Sequence, residues 1–367
     1  MSKIFGIHTP VEPKNHAING AFDFWQEKVG TTITVNTAST TVGYSADMAL
    51  IASVGPTTKN YSYQRSTDVP SAAQTGFQSP YSLLFTMVTG ITTPNTADAV
   101  QPFQYRMEGL DFIKIHRKTV TYGFWMKTSV AGTYSFSLSN AAETRSYVTN
   151  FTMNGANTWE YKNITVLMDQ AGTWTFDNAQ SLLVRIGTTA GATYQTATLD
   201  TWQAGAFYTS STATNWQATT GATMRLTQFS IVDGSLGFPA TGFQRAGKTI
   251  QQELALCQRY YSKSYDSDTA PNTAIFGGLA FGLATDTNTL VGSIPFKASM
   301  RTNPSVTIYN PNDTVNTNRI YQINNAANIT ISGIAQKNSN LISQISASGT
   351  LTAGVSYFYH YVADSRL

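Results

Sequence analysis

The chain has 367 residues, and charged side chains make up 12% of them, about half the usual share for a soluble domain. The formal net charge is +3, and its lysines and arginines are scattered singly, which argues against a surface that follows a nucleic-acid backbone. Cys257 is the single cysteine, so an internal disulfide is excluded. No stretch of the sequence is long and apolar enough to cross a bilayer, so we expect no membrane insertion.

Uncharged polar residues and glycine take the place of the missing charged residues; they are Thr, Ser, Asn, Gln and Gly. This composition favours strands and turns over long helices. We therefore predict an all-β protein with one helix. Residues 1–17 contain two prolines and two histidines without periodicity, and they predict an N-terminal arm that lies on its own domain or on a neighbour. The apolar run near Met1 is too short for a cleavable signal, so we expect synthesis in a cytoplasm without signal-dependent export.

Residues 18–246 show repeated strand signals separated by turn residues, which is typical of a jelly-roll β-sandwich. Apolar residues alternate with others along 120–126, and Ala131-Gly132 follows as a turn before a second alternating run. These two runs therefore predict a β-hairpin. The predicted strands of this domain are Ser82–Val88, Val120–Met126, Tyr134–Ser139, Ile164–Met168, Leu182–Ile186 and Met224–Val232.

Residues 247–263 form the one convincing helical pattern, and we predict that this helix connects two β domains. Its apolar stripe has the spacing of one helix face and consists of Ile250, Leu254, Cys257 and Tyr261. Thr249 and Gln252 have the spacing of a capping box at its start.

Residues 264–367 predict a C-terminal β domain, with strands at Leu290–Phe296, Ser305–Tyr309, Asn328–Ser332, Asn340–Ser346 and Val355–Val362. The last strand is apolar on both faces, so it is predicted to be buried on both sides. In a domain of this size, we expect part of that cover to come from another subunit. The strand therefore predicts a homo-oligomer.

Several sequence blocks follow one another in a characteristic order. The main blocks are Asn19-Gly-Ala-Phe-Asp-Phe-Trp-Gln26, Lys118-Thr-Val-Thr-Tyr-Gly-Phe-Trp-Met-Lys127, Thr201-Trp-Gln-Ala-Gly205, Pro239-Ala-Thr-Gly-Phe-Gln-Arg245 and Glu253-Leu-Ala-Leu-Cys-Gln-Arg-Tyr-Tyr261. In kind and order they resemble a family of bacteriophage virion proteins that are tail-fibre-like and contain a carbohydrate-binding-module-like jelly roll. The resemblance covers residues 18–263 and is weaker after 264. After Gly43-Tyr-Ser-Ala-Asp47 the family usually continues with Arg-Trp, whereas this chain has Met48-Ala49.

The resemblance implies a virion protein that is assembled in the cytoplasm of a host bacterium, with other virion proteins and bacterial surface polysaccharide as its partners. It also implies a homotrimer. Jelly rolls of the carbohydrate-binding-module type often hold a structural Ca²⁺. The resemblance therefore leaves a structural metal ion as an open alternative, and it names no ligand residues. No other cofactor is expected.

Catalytic motifs are missing from the sequence. It contains no nucleophile elbow, no phosphate loop, and no pairs of Cys or His at metal spacing. The four histidines are far apart in the chain. We therefore predict that the protein is not an enzyme.

Aromatic residues in polar loops are the remaining candidates for ligand binding. Trp216 lies in a loop of Thr, Ser and Asn residues, and Tyr208 lies nearby. A flat aromatic face on such a loop is able to stack on a sugar, while amides bond its hydroxyls. Tyr208 and Trp216 are therefore the predicted ligand-binding residues, and a structural role stays an equal alternative.

The first hypothesis for function is a non-enzymatic adhesin, of tail-fibre or spike type, that binds a host surface glycan. The alternative is a purely structural virion component without a ligand, such as a capsid decoration, head fibre or collar protein. A capsule-degrading tailspike is the third.

Overall fold

Strands dominate the computed structural model, which describes residues 13–314, 317–348 and 350–367. Within these ranges the helices are α1 (Ala72–Thr75), α2 (Gly109–Phe112) and α3 (Ile250–Gln258), and none is long and apolar enough to cross a bilayer. The predicted all-β class is therefore confirmed. Most of the predicted N-terminal arm, residues 1–12, lies outside the described residues. Of the remainder, Asn15 forms a β-bridge with Val232, and Ala17 is buried in the core.

Two antiparallel sheets form a β-sandwich from the first part of the chain. Sheet A has the spatial order β1 (Ile33–Thr37), β4 (Lys59–Ser66), β5 (Ser82–Thr89), β16 (Thr223–Asp233), β7 (Thr119–Thr128) and β10 (Glu160–Leu167). Sheet B has the order β14 (Trp202–Ala204), β9 (Arg145–Met153), β8 (Gly132–Asn140), β11 (Gln180–Ile186), β6 (Ala99–Glu108), β3 (Ala49–Val54) and β2 (Thr41–Tyr44), and β12 (Thr189–Ala190) also pairs with β6. A small parallel pair, β13 (Gln195–Thr196) with β15 (Thr209–Ser210), completes this part.

Alternating side chains of the two sheets fill the core of the sandwich. On β7, Val120, Tyr122, Phe124 and Met126 are all fully buried, as period-two alternation requires. The predicted hairpin between β7 and β8 is wrong, because β7 belongs to sheet A and β8 to sheet B. The turn is real, but it carries the chain across the sandwich. Both edges of β7 are already occupied by β10 and β16.

Helix α3 begins where the sequence predicts it, since Thr249 and Gln252 form the expected capping box. The helix is shorter than the predicted 247–263, and Tyr261 of the predicted stripe is buried but lies after its last residue. The buried face matches the stripe at Cys257 and differs from it at the other helical positions. Ile250 is 44% exposed and Leu254 is half-buried, whereas Glu253 and Cys257 are fully buried. The Glu253 carboxylate accepts hydrogen bonds from the backbone amides of residues 19 and 247, so the buried carboxylate and both amides are satisfied.

The chain after the helix forms a sheet that closes on itself, because the pairing order β24–β18–β19–β23–β22–β21 returns to β24. Its strands are β17 (Tyr261–Lys263), β18 (Ala280–Ala284), β19 (Thr289–Pro295), β20 (Ser305–Tyr309), β21 (Arg319–Gln322), β22 (Ala327–Lys337), β23 (Leu341–Ala347) and β24 (Ser356–Asp364). We call this part the C-terminal barrel. Every strand predicted after residue 264 is present, with ends that differ by a few residues.

Strand β24 is buried on both faces, as its sequence predicts, but the cover comes from this chain. It pairs with β17 and β20 near its end and with β18 and β21 near its start. The inference that a second subunit must cover it is therefore wrong. The described residues form one large buried cluster within 17–260 and another within 280–363, whereas the domain boundaries at 246 and 263 stay predictions.

Candidate functional site

Trp216, one of the two residues predicted to bind ligand, lies in the core of the sandwich. It is 1% exposed, and its ring packs against Phe85 and Tyr134 at centroid distances of 5.9 and 6.0 Å. Its indole N–H donates to the Gly187 carbonyl at 2.9 Å. The expectation of an exposed ring is therefore corrected, because the polar loop folds over the sandwich and buries its tryptophan.

Tyr208, the other predicted residue, is 5% exposed and lies between two flat groups. The Arg185 guanidinium lies 4.2 Å from the centre of its ring, and Tyr194 stacks on it at 4.4 Å with an interplanar angle of 6°. Its hydroxyl donates to Glu143 at 2.6 Å, and burial raises the pKa of Tyr208. Neither face of Tyr208 is free for a sugar, so the structure does not combine Tyr208 and Trp216 in one exposed site.

A cleft at the edge of the sandwich brings together an aromatic surface and several charged groups. We call it the Trp202 cleft; its volume is about 350 Å³, and it is lined by Arg145, Tyr147, residues 167–171 and residues 200–202. Trp202 opens β14 and pairs with Tyr147 of β9, the two rings lying 5.7 Å apart. The indole N–H of Trp202 donates to the Leu167 carbonyl at 2.9 Å. This bond and the strand pairing hold a half-buried tryptophan ring in a fixed orientation.

The charged wall of the cleft is an ion pair between Arg145 and Asp169. Two parallel bonds join them, from Nε to Oδ2 at 2.9 Å and from an Nη atom to Oδ1 at 2.7 Å. Asp169 also accepts bonds from the backbone amides of Ala171 and Gly172. Burial by itself would raise the pKa of Asp169, but the Arg145 guanidinium and these amides outweigh it and lower the pKa.

Gly172 allows the loop of residues 168–172 to close tightly around this ion pair. A Cβ atom at Gly172 would lie 2.5 Å from Oδ2 of Asp169 and 2.8 Å from a side-chain carbon of Arg145. Any larger residue would therefore displace the ion pair.

Tyr147 and Asp200 provide further polar groups in the cleft. Burial and, to a smaller extent, the neighbouring Asp200 carboxylate together raise the pKa of Tyr147 to about 12. Tyr147 therefore keeps its proton at neutral pH and remains a hydrogen-bond donor. Asp200 and Gln170 are exposed at the rim of the cleft.

This arrangement suits the binding of a sugar. An aromatic ring offers a flat apolar surface to the C–H face of a pyranose, and carboxylates, amides and a guanidinium bond its hydroxyls. Hydrolysis of a glycosidic bond requires a carboxylic acid that holds its proton. Asp169 has a lowered pKa and is committed to Arg145, so it is unsuited to that role. Within the described ranges, no group of three or more His, Cys, Asp or Glu side chains is placed to hold a metal ion.

Trp202 was missed as a site residue, although the sequence contains a signal for it. It follows Asp200 and Thr201 in a stretch that is rich in threonine and lacks apolar alternation. The criterion applied to Trp216, a tryptophan in a polar loop, fits Trp202 equally well. The fold, and not the local sequence, decides that the Trp202 ring is half-buried and that the Trp216 ring lies in the core.

A larger cavity, of about 770 Å³, lies beside helix α3. Its wall includes Ala255 and Leu256 of the helix and the segment 244–248. Its amides and cations could bond hydroxyl groups, but it has no aromatic lining residue on which a sugar ring could stack and no carboxylate. The Trp202 cleft is therefore the better candidate.

No protein-family model matches the sequence, and no curated protein sequence matches it. A comparison with solved structures gives several matches. One is the enzymatically active domain of tailspike protein 4 from bacteriophage CBA120, with a TM-score of 0.29 and 10% sequence identity. This match covers 60% of this chain and 21% of the tailspike chain. The family 11 carbohydrate-binding module from Clostridium thermocellum, in complex with a beta-1,3-1,4-mixed-linked tetrasaccharide, has a TM-score of 0.29 and 11% identity over 55% of this chain and 98% of the module.

The N-terminal CBM22-1–CBM22-2 tandem domain of Xyn10C from Paenibacillus barcinonensis has a TM-score of 0.27 and 9% identity, over 93% of this chain and 92% of the tandem domain. These TM-scores are too low to carry an argument about function.

Proposed function

We propose that the chain binds a polysaccharide in the Trp202 cleft and serves as a non-enzymatic adhesin on the surface of a bacteriophage particle. The observation that carries the binding proposal is the half-buried ring of Trp202, held by its bond to the Leu167 carbonyl beside the ion pair of Arg145 and Asp169. The adhesin role is supported by the resemblance of residues 18–263 to tail-fibre-like virion proteins.

The cleft suits a short segment of a glycan better than a free ion. Its volume of about 350 Å³ is at the small end of ligand sites, which favours one or two sugar units. Arg145 is already neutralised by Asp169, so the cleft has no free cation that would select a strongly acidic sugar. A single site of this size binds weakly, and useful avidity then requires several copies on one particle.

Several copies would be supplied by a homotrimer, which is the oligomer that we propose, with other virion proteins as further partners. The second candidate function is a structural virion component without a ligand. One observation favours it: Phe281 (58% exposed) and Leu283 (45%) lie on the same face of β18 and Phe276 (50%) lies in the segment before it, and exposed apolar surface is typical of contacts between proteins.

The experiment is a binding assay of the full chain with host cells and with purified surface polysaccharide. Trp202→Ala is compared with Trp159→Ala, because Trp159 is also half-buried and its N–H is also bonded, to Asp68 at 3.1 Å, but it lies outside the cleft. We expect Trp202→Ala to weaken binding at least tenfold and Trp159→Ala to leave it unchanged. Equal binding by both variants would refute the cleft. Absence of binding by the wild type, together with a position on the capsid, would favour the structural role.

A further inference from the structure

A second polar cavity lies between the sandwich and the C-terminal barrel, and it shares no lining residue with the Trp202 cleft. We call it the Tyr261 cavity; its volume is about 310 Å³. Strands β17, β20 and β24 of the barrel form its floor. The rest of its wall consists of Glu27 and Lys28 from the first part of the chain, Pro271 from the segment between β17 and β18, and Arg366 just after β24.

Strand pairing brings the polar side chains of the floor together. Strand β24 lies between β17 and β20, and it is antiparallel to both. Asp364 is in register with Tyr261 on one side and with Ser305 on the other, and two residues away Val362 is in register with Thr307. Because side chains alternate along a strand, these residues share the face that lines the cavity. The opposite face carries residues of the barrel core, namely Ile308, Tyr361 and Ala363.

The charged groups of the Tyr261 cavity neutralise one another. Glu27 accepts bonds from the Lys28 ammonium and from an Nη atom of Arg366, both at 2.5 Å. Asp364 accepts a bond from the other Nη atom of Arg366 at 2.6 Å. Neither cation is therefore free to select a phosphate or another anion. The Glu27 and Asp364 side chains are 24% and 30% exposed, and carboxylate oxygens have lone pairs left for further donors.

The Tyr261 hydroxyl is the observation that points to a ligand. Tyr261 is 3% exposed and lines the cavity, and its hydroxyl has no hydrogen-bond partner among the described residues. The hydroxyl of Tyr265 is also unpaired but fully enclosed, whereas that of Tyr261 is not closed off from the open space beside it. Burial raises the pKa of Tyr261, so the hydroxyl keeps its proton at neutral pH. Since nearly buried polar groups are almost always bonded, an unpaired one on the wall of a cavity indicates a polar occupant.

We propose that the Tyr261 cavity binds one neutral, hydroxyl-rich unit, that is, a single sugar residue. Hydroxyl groups both donate and accept, so they match the Tyr261 hydroxyl and the carboxylates of Glu27 and Asp364. The half-buried ring of Tyr309 adds a flat surface for the apolar face of the sugar. A volume of about 310 Å³ is at the lower end of ligand sites, which is room for one sugar unit and not for an oligosaccharide.

This site does not depend on the Trp202 cleft, because the two have no wall in common. The cleft lies at the edge of the sandwich, whereas the cavity has walls from both parts of the chain. A sugar in the cavity therefore bonds the sandwich and the barrel at once.

The test uses ligand-observed NMR of the full chain with D-glucose, D-galactose and D-mannose, and with inorganic phosphate as a charged control. The key variant is Tyr261→Phe, which removes the unpaired hydroxyl and keeps the ring that lies 4.4 Å from the Arg366 guanidinium. Tyr81→Phe is the matched control, because the Tyr81 ring also lies beneath a guanidinium, that of Arg65 at 4.3 Å, and does not line the cavity. Both substitutions are also made in a Trp202→Ala background, which removes the aromatic surface of the cleft.

We expect at least one of the sugars to bind the wild type and Tyr81→Phe equally. Tyr261→Phe should weaken that binding about fivefold, the effect of one lost hydrogen bond. Its melting temperature without sugar should not fall, because no bond of the free protein is removed. The same fivefold difference should appear in the Trp202→Ala background.

Binding of none of the three sugars would overturn the proposal, and so would equal binding by Tyr261→Phe and the wild type. Phosphate that binds more tightly than every sugar would contradict a neutral ligand. A crystal structure in an excess of the sugar that binds, with only water in the cavity, would also overturn it. Complete loss of sugar binding in the Trp202→Ala background would place the sugar in the cleft and refute the cavity, whereas loss of polysaccharide binding alone concerns the cleft.

Discussion

Two tryptophans that look alike in the sequence are expected to respond in opposite ways to truncation. Trp216→Ala removes a fully buried ring that packs on Phe85 and Tyr134, a change that costs about 3–5 kcal/mol of unfolding free energy. Loss of its bond leaves the Gly187 carbonyl without that donor, which adds about 1 kcal/mol or more. The total is about 4–6 kcal/mol, a large part of the stability of an ordinary domain.

Trp202→Ala should cost less, about 2–3 kcal/mol, because the ring is only half-buried, although it packs on Tyr147 and Trp174 at 5.7 and 5.6 Å and loses its bond to the Leu167 carbonyl. The assay is chemical denaturation followed by circular dichroism, with polysaccharide binding measured on the same samples. We expect Trp216→Ala to lose stability, and Trp202→Ala to lose binding with its fold intact. A Trp216→Ala variant that is as stable as the wild type but no longer binds glycan would refute this reasoning and restore the loop residue as the site.

Three further predictions concern the ion pair, the helix and the barrel. The pKa of Asp169 is lowered, so its bond to Arg145 should stabilise the fold fully above about pH 4, and this stability should be lost as the pH falls through the folded pKa. Asp169→Asn should remove this acid dependence from unfolding curves measured at pH 2–7. A variant with the same pH dependence as the wild type would contradict the prediction. Leu254→Ala should cost less than about 2 kcal/mol in a thermal melt because the residue is half-buried. Tyr260→Phe, just after the helix, should cost about 1–3 kcal/mol because it removes a buried 2.7 Å bond to a carboxylate; the reverse order would mean that the burial of these two residues is assigned wrongly. Phe281→Asp should dissociate the proposed oligomer in sedimentation experiments, and a wild type that is already monomeric at micromolar concentration would contradict the oligomer itself.

The strands that were predicted are present because their signal is local, whereas β3, β4, β6 and β9 were not predicted. Alternating apolar residues mark the faces of a strand, and the predicted segment Ser305–Tyr309 has the same bounds as β20. Pairing is not local. The turn at Ala131-Gly132 was identified, but whether it closes a hairpin or crosses the sandwich depends on which strands take the edges of β7.

Helix α3 illustrates a second limit. Its start was predicted from Thr249 and Gln252, because a capping box satisfies orphan amides within four residues. Its buried face was predicted only in part: Cys257 is buried as expected, but so is Glu253, which accepts bonds from the amide of Gly247 just before the helix and from that of Asn19, far away in the chain. The apolar pattern contains no information about these donors.

The candidate binding site was likewise predicted only as far as local sequence signals reach. Polar loops that contain an aromatic residue were recognised as candidates, but the sequence does not show which loop folds over the core. Trp216 is buried because its loop closes the end of the sandwich, and Trp202 remains half-buried because it lies on the edge strand of sheet B. The Arg145–Asp169 pair joins residues 24 positions apart, so no local pattern predicts it.

A crystal structure of the full chain with an oligosaccharide fragment of the host surface polysaccharide tests the Trp202 cleft most directly. We predict that one sugar ring lies against the exposed face of the Trp202 indole, with its hydroxyls bonded to the charged groups of the cleft, Arg145 and Asp200 among them. Sugar bound at another surface, with the Trp202 ring uncovered, would contradict the assignment of this cleft as the glycan-binding site.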